Sequence, residues 1–229
     1  MPLHTTARAR VAFVTTIGRM DVEQITDWLW CLRTPLVQAY AVRHSDGFHL
    51  IDTSTAGHDG AILDGLGSVA GSTGRDVAIR DVLLSHGHDD HTGSAAALAE
   101  RSGARILGPT GDASVIEGDS AAPVPSLRDW EVPLYEQALQ HVPPAPPVQI
   151  DVLVDDGAIL DWEVPGRIVA APSHMPGSVA VLFEDADLPQ AVATFRQLAT
   201  LDVDIACFGH GAPLVGDAGA RLRQVAAAL

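Results

Sequence analysis

The 229-residue sequence contains no lysine, only two cysteines and few aromatic side chains. All 14 basic residues are arginines, and against 29 acidic residues they leave a formal charge of −15. This negative charge repels phosphate backbones and the chain has no basic stripe, so we expect no nucleic-acid partner. No apolar run approaches the roughly 20 residues that a membrane span requires. The N-terminal segment also lacks the apolar run of a signal peptide, and we therefore expect a cytoplasmic protein that does not bind membranes.

The two cysteines, Cys31 and Cys207, lie far apart in apolar segments. This arrangement predicts no disulfide framework and agrees with a reducing compartment. We interpret Cys31 as a small buried hydrophobic residue. Cys207 lies three residues before His210, where a thiolate metal ligand is an alternative to core packing.

Strand-like and helix-like segments alternate along the chain, which predicts an α/β protein. The expected strands are 10–16, 37–44, 48–53, 76–86, 104–108, 149–154, 158–163, 166–174, 178–185 and 204–211. The expected helices are 58–70, 93–103, 188–201 and 217–228, and Gly103 should end the second of them.

The segment 109–149 differs in composition, because it holds eight of the 15 prolines. It also carries large apolar residues, which argue against a disordered linker. We interpret it as a lid-like insertion within one domain of residues 1–229. A short amphipathic helix should begin near Pro133. Trp130 and Tyr135 are candidate contacts on a substrate wall, although lid packing is the favoured interpretation for each residue taken singly.

The most informative stretch is Ser-His-Gly-His-Asp-Asp-His at 85–91, directly after a buried strand. In an extended loop His86 and His88 project to the same side, and Asp90 and His91 follow after a turn. Imidazole and carboxylate suit zinc and similar ions. A solvated polar loop is the alternative interpretation, and a nucleophilic triad is disfavoured because no G-x-S-x-G motif is present.

This stretch resembles the signature loop of the metallo-β-lactamase-fold hydrolases, which include glyoxalase II and lactone-hydrolysing enzymes. Three further segments resemble family motifs in the expected order. HLIDTS (49–54) resembles I-D-T-G with Ser54 in place of glycine, and APSHMPGSV (171–179) resembles G-H-T-P-G-S with Ser173 and Met175 as departures. CFGHGAP (207–213) resembles the final G-H-G motif.

The resemblance implies a four-layer αββα sandwich of the metallo-β-lactamase type, with the metal site at the strand ends between the two sheets. It assigns His86, His88 and His174 to one metal ion, and Asp90, His91 and His210 to a second. Asp90 would also orient the nucleophile. Asp52 would orient the histidine loop through hydrogen bonds, although a turn cap after the strand explains it equally well.

The family normally has a further aspartate, often in a Gly-Asp pair, that bridges the two ions. No Gly-Asp follows the strand at 178–185 in this sequence. Either the segment that carries it is absent from this chain, or Asp187 takes the bridging role by a shorter path.

The resemblance implies a zinc-dependent hydrolase of a small ester, thioester, lactone or amide that uses metal-bound hydroxide. One or two zinc ions are expected, and iron or manganese are alternatives because the same ligands accept them. The partner is a small-molecule substrate, and a homo-oligomer is compatible with the sequence. The alternative function is a non-catalytic or degenerate metal-binding member of the fold, since the bridging aspartate is not recognisable.

Overall fold

Seven strands form one large mixed sheet in the computed structural model. The structure describes residues 20–34, 36–71, 77–123, 127–130, 132–172, 175–183, 196–197, 199–200, 205–206, 214–215 and 218–228. The strands are β1 (Asp21–Gln24), β2 (Leu29–Arg33), β3 (Gln38–His44), β4 (Gly47–Ile51), β5 (Ile79–Leu83), β6 (Arg105–Pro109) and β7 (Val152–Val154). They pair in that order, antiparallel from β1 to β4 and parallel from β4 to β7.

Helices occupy several connections between the strands, and one helix follows the last strand. They are α1 (Asp59–Ala70), α2 (Asp89–Thr92), α3 (Ala95–Ser102), α4 (Ala113–Ile116), α5 (Val132–Leu139) and α6 (Ala218–Ala228), with a 3-10 turn at Thr110–Asp112. The predicted end of α3 is confirmed, because Gly103 adopts a left-handed φ of 70° and its N–H donates to the carbonyl of Ala99. Pro133 lies in the first turn of α5, where its missing N–H costs no helical hydrogen bond.

Helices α1 and α3 cover one face of the large sheet. Alternate strand residues such as Leu50, Val82 and Ile106 point to this face and are buried. They belong to one hydrophobic cluster with Leu66 of α1 and Leu98 of α3. Each of these five side chains is at most 1% exposed, so α1 and α3 pack tightly against the central parallel strands at this face.

A second sheet covers the opposite face. It consists of β8 (Ile159–Leu160), β9 (Gly166–Ala170) and β10 (Val179–Phe183) in the order β10–β9–β8, all antiparallel. Leu83 and Leu107 of the large sheet belong to one buried cluster with Trp162 and Ile168 of this second layer. The strands β11 (Ile205–Ala206) and β12 (Leu214–Val215) form a separate antiparallel pair.

Several sequence expectations differ from the structure. Strands β1 and β2 were not predicted, and the predicted strands at 76–86 and 158–163 shorten to β5 and β8. The predicted strand at 10–16 lies outside the described residues, as does most of the predicted helix at 188–201. The segment 109–149 lies almost wholly between β6 and β7 and contributes α4 and α5. Within the described residues, no helix has both the length and the apolarity to cross a membrane.

A buried carboxylate, Asp81 on β5, connects the two sheets at the end remote from the carboxyl ends of the parallel strands. It is 2% exposed and accepts hydrogen bonds from Trp162 Nε1 at 2.9 Å and Arg105 Nε at 2.8 Å. His49 Nδ1 lies 3.0 Å from Asp81 Oδ2, and the His49 ring stacks on Trp162. Burial by itself would raise the pKa of Asp81, but the contacts with His49, Arg105 and Trp162 hold it below its ordinary value.

We expect Asp81→Asn to lower the free energy of unfolding by about 2–4 kcal/mol at pH 7, because it removes a buried charge and leaves its donors imperfectly paired. A depressed pKa in the folded state stabilises the fold above the unfolded pKa of about 3.9, and this contribution is lost as pH falls through the folded value. The difference between variant and wild type should therefore shrink in acid. Urea unfolding across pH measures it, with Asp64→Asn, an exposed change on α1, as the control. A difference independent of pH would contradict this account.

Candidate metal centre

The carboxyl ends of β4 and β5 meet the second sheet at one edge of the molecule. Asp52 follows β4, and the histidine loop, defined as residues 85–91, follows β5. The Asp52 N–H donates to the carbonyl of Leu83 at 2.8 Å, and the Val179 N–H of β10 donates to the carbonyl of Ser85 at 2.9 Å. These bonds fix the start of the histidine loop between the two sheets, where strand ends of parallel sheets commonly present functional groups.

Four predicted metal ligands belong to the histidine loop, and their side chains lie close to one another. The ring centroids of His86 and His88 are 4.9 Å apart, and those of His86 and His91 are 4.1 Å apart. His91 Nε2 lies 3.7 Å from Asp90 Oδ2. His88 has an extended backbone and precedes α2, so the turn expected before Asp90 and His91 is a short helix that carries both of them.

Asp52 holds this loop from the neighbouring strand end. One carboxylate oxygen accepts the Ser85 N–H at 2.8 Å, and the other lies 2.8 Å from both the Ser85 hydroxyl and His91 Nδ1. The Asp52 backbone has a φ of 62°, which non-glycine residues rarely adopt but aspartate tolerates. The carboxylate is thereby aimed at the loop after β5, and the structure shows hydrogen bonds to that loop.

The electrostatics of the Asp52–His91 pair fix a tautomer. Burial alone would raise the pKa of Asp52, but the charge and hydrogen bond of His91 and the Ser85 N–H hold it below its ordinary value. Burial alone would lower the pKa of His91, but the carboxylates of Asp52 and Asp90 raise it overall. An ionised Asp52 can only accept, so His91 Nδ1 is the donor of this hydrogen bond. Whenever the ring is neutral, its lone pair is therefore on Nε2, the nitrogen that lies 3.7 Å from Asp90 Oδ2.

This donor set fits a zinc-like ion in its chemistry. Imidazole and carboxylate are zinc ligands, and in metal sites the other ring nitrogen of a histidine is commonly held by an oxygen. His91 Nδ1 is held by Asp52, and His86 Nδ1 lies 2.9 Å from the Ser85 hydroxyl. Within the described residues, no three His, Cys, Asp or Glu side chains are arranged to hold a metal. The predicted third ligands His174 and His210, and the predicted substitute bridge Asp187, lie outside those residues.

Three contacting residues were not anticipated from the sequence. Ser85 bonds Asp52 and His86, and only its place beside the first histidine could have indicated it. Thr53 donates its hydroxyl to the carbonyl of His91 at 2.9 Å. Asp112, at the end of the 3-10 turn after β6, accepts the N–H of Gly87 at 3.1 Å, and nothing in its local sequence pointed to this contact.

A cavity of about 710 Å³ opens beside the histidine loop and is bordered by His88 and Asp90. Its walls come largely from the connection between β6 and β7 and are mostly apolar, including Val115, Ile116, Tyr135, Leu139 and Val142. No arginine lies among the described residues that line it. Of the two predicted substrate contacts, Tyr135 lines the cavity, whereas Trp130 is not among its described lining residues and is 51% exposed.

The family to which this fold belongs follows from the sequence profile that the chain matches. The profile of the metallo-β-lactamase superfamily matches residues 33–188, which is more than half of the chain. The chain belongs to the metallo-β-lactamase superfamily. The predicted family is therefore confirmed, while the roles of the individual site residues remain predictions.

Known members of the superfamily resemble this chain in different ways. Over 37 residues it is 51% identical to a hydroxyacylglutathione hydrolase of Pseudomonas paraeruginosa, a match that spans 16% of this chain and 14% of the length of that protein. The MIM-1 metallo-β-lactamase from Novosphingobium pentaromativorans superposes with a TM-score of 0.58 at 24% identity, covering 93% of this chain and 89% of the other. A β-lactamase from Chitinophaga pinensis gives 0.60 at 18% identity, covering 99% and 98%. Such similarities confirm the metallo-β-lactamase fold.

We expect Asp52→Asn to weaken zinc binding by about 10–100-fold, the usual effect of losing a partner that orients a ligand. The asparagine amide would donate to His91 Nδ1, which places the ring proton on Nε2 and removes the lone pair needed for a metal. Competition with a chromophoric chelator measures the zinc affinity of the folded variant. Asp64→Asn, which removes an exposed charge on α1, should bind zinc as the wild type does. Equal zinc affinity in Asp52→Asn and wild type would contradict the orienting role.

Proposed function

We propose that this chain is a zinc-dependent hydrolase of a small ester, thioester, lactone or amide. The observation that carries the proposal is the convergence of His86, His88, Asp90 and His91 beside an apolar cavity, with His91 oriented by Asp52. Membership of the metallo-β-lactamase superfamily supports the same conclusion.

The proposed ligands are His86, His88 and His174 for one ion and Asp90, His91 and His210 for a second. A divalent ion held by these residues would lower the pKa of a bound water to about 7 and would polarise a carbonyl group. Zinc is the ion we propose, with iron or manganese as alternatives. Asp187 remains a weak substitute for the bridging carboxylate.

The residues of the chain would divide the remaining work. Asp90, half-buried at the cavity edge, would orient the attacking water and accept its proton. Asp52 would keep the proton of the neutral His91 ring on Nδ1, so that the lone pair of Nε2 is available to a metal ion. The apolar walls would hold the acyl group and keep bulk water from the reacting carbonyl, which strengthens each electrostatic contact there.

The cavity supports a neutral, apolar substrate. Its aliphatic and aromatic walls gain from burying hydrocarbon, at about 0.8 kcal/mol for each buried methylene group. Its described lining offers the carboxylates of Asp89 and Asp90 and no arginine to pair with an anionic substrate. Glutathione carries a net negative charge at neutral pH, so we propose that this chain favours neutral thioesters or lactones over glutathione thioesters.

Replacing one of the proposed ligands tests the hydrolase assignment. We expect His88→Ala to lose at least one zinc ion per chain. It should also lower kcat/KM for a generic thioester by more than the roughly 10–100-fold that follows loss of a residue that only orients a ligand. Metal content by mass spectrometry and initial rates measure the two effects. The control is His44→Ala. The His44 ring is paired with Asp46 at the opposite end of the large sheet, away from the proposed ligands.

The outcomes separate the proposed hydrolase from its alternative. Unchanged turnover in His88→Ala would contradict the assignment. Zinc binding without any turnover on esters, thioesters, lactones and a chromogenic β-lactam would favour the non-catalytic metal-binding protein. Two ions per chain in the wild type would support a dinuclear centre, and one ion would support the three-histidine site alone.

Matched thioesters test the proposed substrate class. We expect octanoyl-N-acetylcysteamine, which is neutral, to give a higher kcat/KM than octanoylglutathione, because the cavity offers no arginine for the glutathione carboxylates. Leu139→Ala should raise KM for the octanoyl substrate about tenfold, as loss of one to two buried methylene groups predicts, and leave the acetyl thioester unchanged. Initial rates measure both effects.

Val225→Ala provides the control for the cavity variant, because it truncates an exposed apolar side chain on α6 that does not line the cavity. A preference for the glutathione thioester would overturn the substrate class. Equal loss for octanoyl and acetyl substrates in Leu139→Ala would show that the wall supports the fold and not the acyl chain.

A further inference from the structure

Two backbone amides from distant parts of the chain donate to one buried carboxylate at the end of the 3-10 turn after β6. Asp112 is 1% exposed, its Oδ2 accepts the N–H of Gly87 at 3.1 Å, and its Oδ1 accepts the N–H of Gly177 at 2.7 Å. Both carboxylate oxygens are therefore committed to backbone donors, which are strong partners for an ionised acceptor.

The two amides belong to the two segments that carry the proposed three-histidine site. Gly87 lies between His86 and His88. Gly177 lies three residues after His174, in the Met-Pro-Gly-Ser segment that leads into β10. Asp112 is thus the residue at which the histidine loop and the segment after His174 share a partner, although they are separated by about 90 residues of sequence.

Close backbone contact makes this junction stiff. A Cβ atom added to Gly177 would lie 2.5 Å from the Asp112 backbone nitrogen and 2.6 Å from its Oδ1. A Cβ atom added to Gly111 would lie 2.8 Å from the Gly177 Cα. Such distances are shorter than van der Waals contact, so a larger residue at either glycine must push the 3-10 turn that carries Asp112 away from the segment after His174.

Helix capping does not account for Asp112. It occupies the N-cap position of α4, where an aspartate usually accepts a backbone N–H of the first turn. Its side chain makes no such bond in this helix. The carboxylate instead turns toward Gly87 and Gly177, so its contacts serve the two segments and not the helix.

We propose that Asp112 is a positioning residue for the three-histidine metal site. Its carboxylate holds the backbone of the histidine loop at Gly87 and that of the segment after His174 at Gly177 on one acceptor, which would bring the proposed ligands carried by these two segments toward one ion. The inference rests on the proposed function for the existence of that ion. It adds a residue that touches neither metal nor substrate and acts through the backbone of Gly87 and Gly177.

Asp112→Asn tests this role with little change in shape. An asparagine carbonyl can accept one of the two N–H groups, but its amide then faces the other donor and cannot accept from it. We expect zinc affinity, measured by competition with a chromophoric chelator, to fall about 10–100-fold. The measurement is made at a temperature at which circular dichroism shows the metal-free variant folded.

Gly177→Ala provides a second test of the junction, because it keeps the carboxylate and moves the segment after His174 away from Asp112 by steric contact. It should weaken zinc binding in the same direction. The matched control is Asp151→Asn, in which a carboxylate that accepts the backbone N–H of Ile106 at 2.8 Å is changed away from both segments. That variant should keep the zinc affinity of the wild type.

The outcomes distinguish this inference from the function on which it rests. If wild type binds zinc and folded Asp112→Asn and Gly177→Ala bind it equally well, the positioning role is overturned and the proposed function stands. If Asp151→Asn weakens zinc binding as much as Asp112→Asn does, the effect is general destabilisation and the inference also fails. A wild-type chain that binds no zinc would overturn both.

Discussion

The buried carboxylate of Asp52 is the interaction on which the candidate metal centre depends. It accepts the Ser85 N–H and contacts the Ser85 hydroxyl and His91 Nδ1, so the end of β4 is joined to the loop after β5. Its left-handed backbone is a strained conformation of the kind that costs about 1–3 kcal/mol and persists where surrounding contacts fix it. The three contacts hold the Asp52 backbone in this conformation. They also keep the carboxylate ionised, because they hold its pKa below the ordinary value.

Most of the sheet could be predicted because its central strands are buried on both faces and read as apolar runs, as in VLLS after Asp81. The edge could not. Strand β1 is largely exposed and has the sequence DVEQ, which carries no alternating apolar pattern. It is a strand because its backbone pairs with β2, and a partner chosen by tertiary contact leaves no signal in a four-residue segment.

Some residues of the candidate site could likewise be predicted from the local sequence, whereas others depend on contacts between segments that are distant in the chain. His86, His88, Asp90 and His91 were found because four residues of metal-binding types lie within one short segment. Asp112 is a single carboxylate among 29 acidic residues, and its role depends on the approach of Gly177, 65 residues away. Ser54 is a residue for which the local sequence did give a signal. The motif that this segment resembles has glycine at this position, and Ser54 adopts a φ of 60°, in the region that favours glycine.

The connection between β6 and β7 contacts both the candidate metal centre and the cavity beside it. Its first residues place Asp112 against the histidine loop, and the next helix, α4, supplies Val115 and Ile116 to the cavity wall. A Cβ atom on Gly87 would lie 3.1 Å from Val115 and 3.3 Å from Met175, so the loop, the wall and the segment after His174 pack without spare room. Because packed interiors transmit displacements, a change of the side chain at Val115 should alter the candidate metal centre as well, whereas a change at Leu139, which is half exposed, should not.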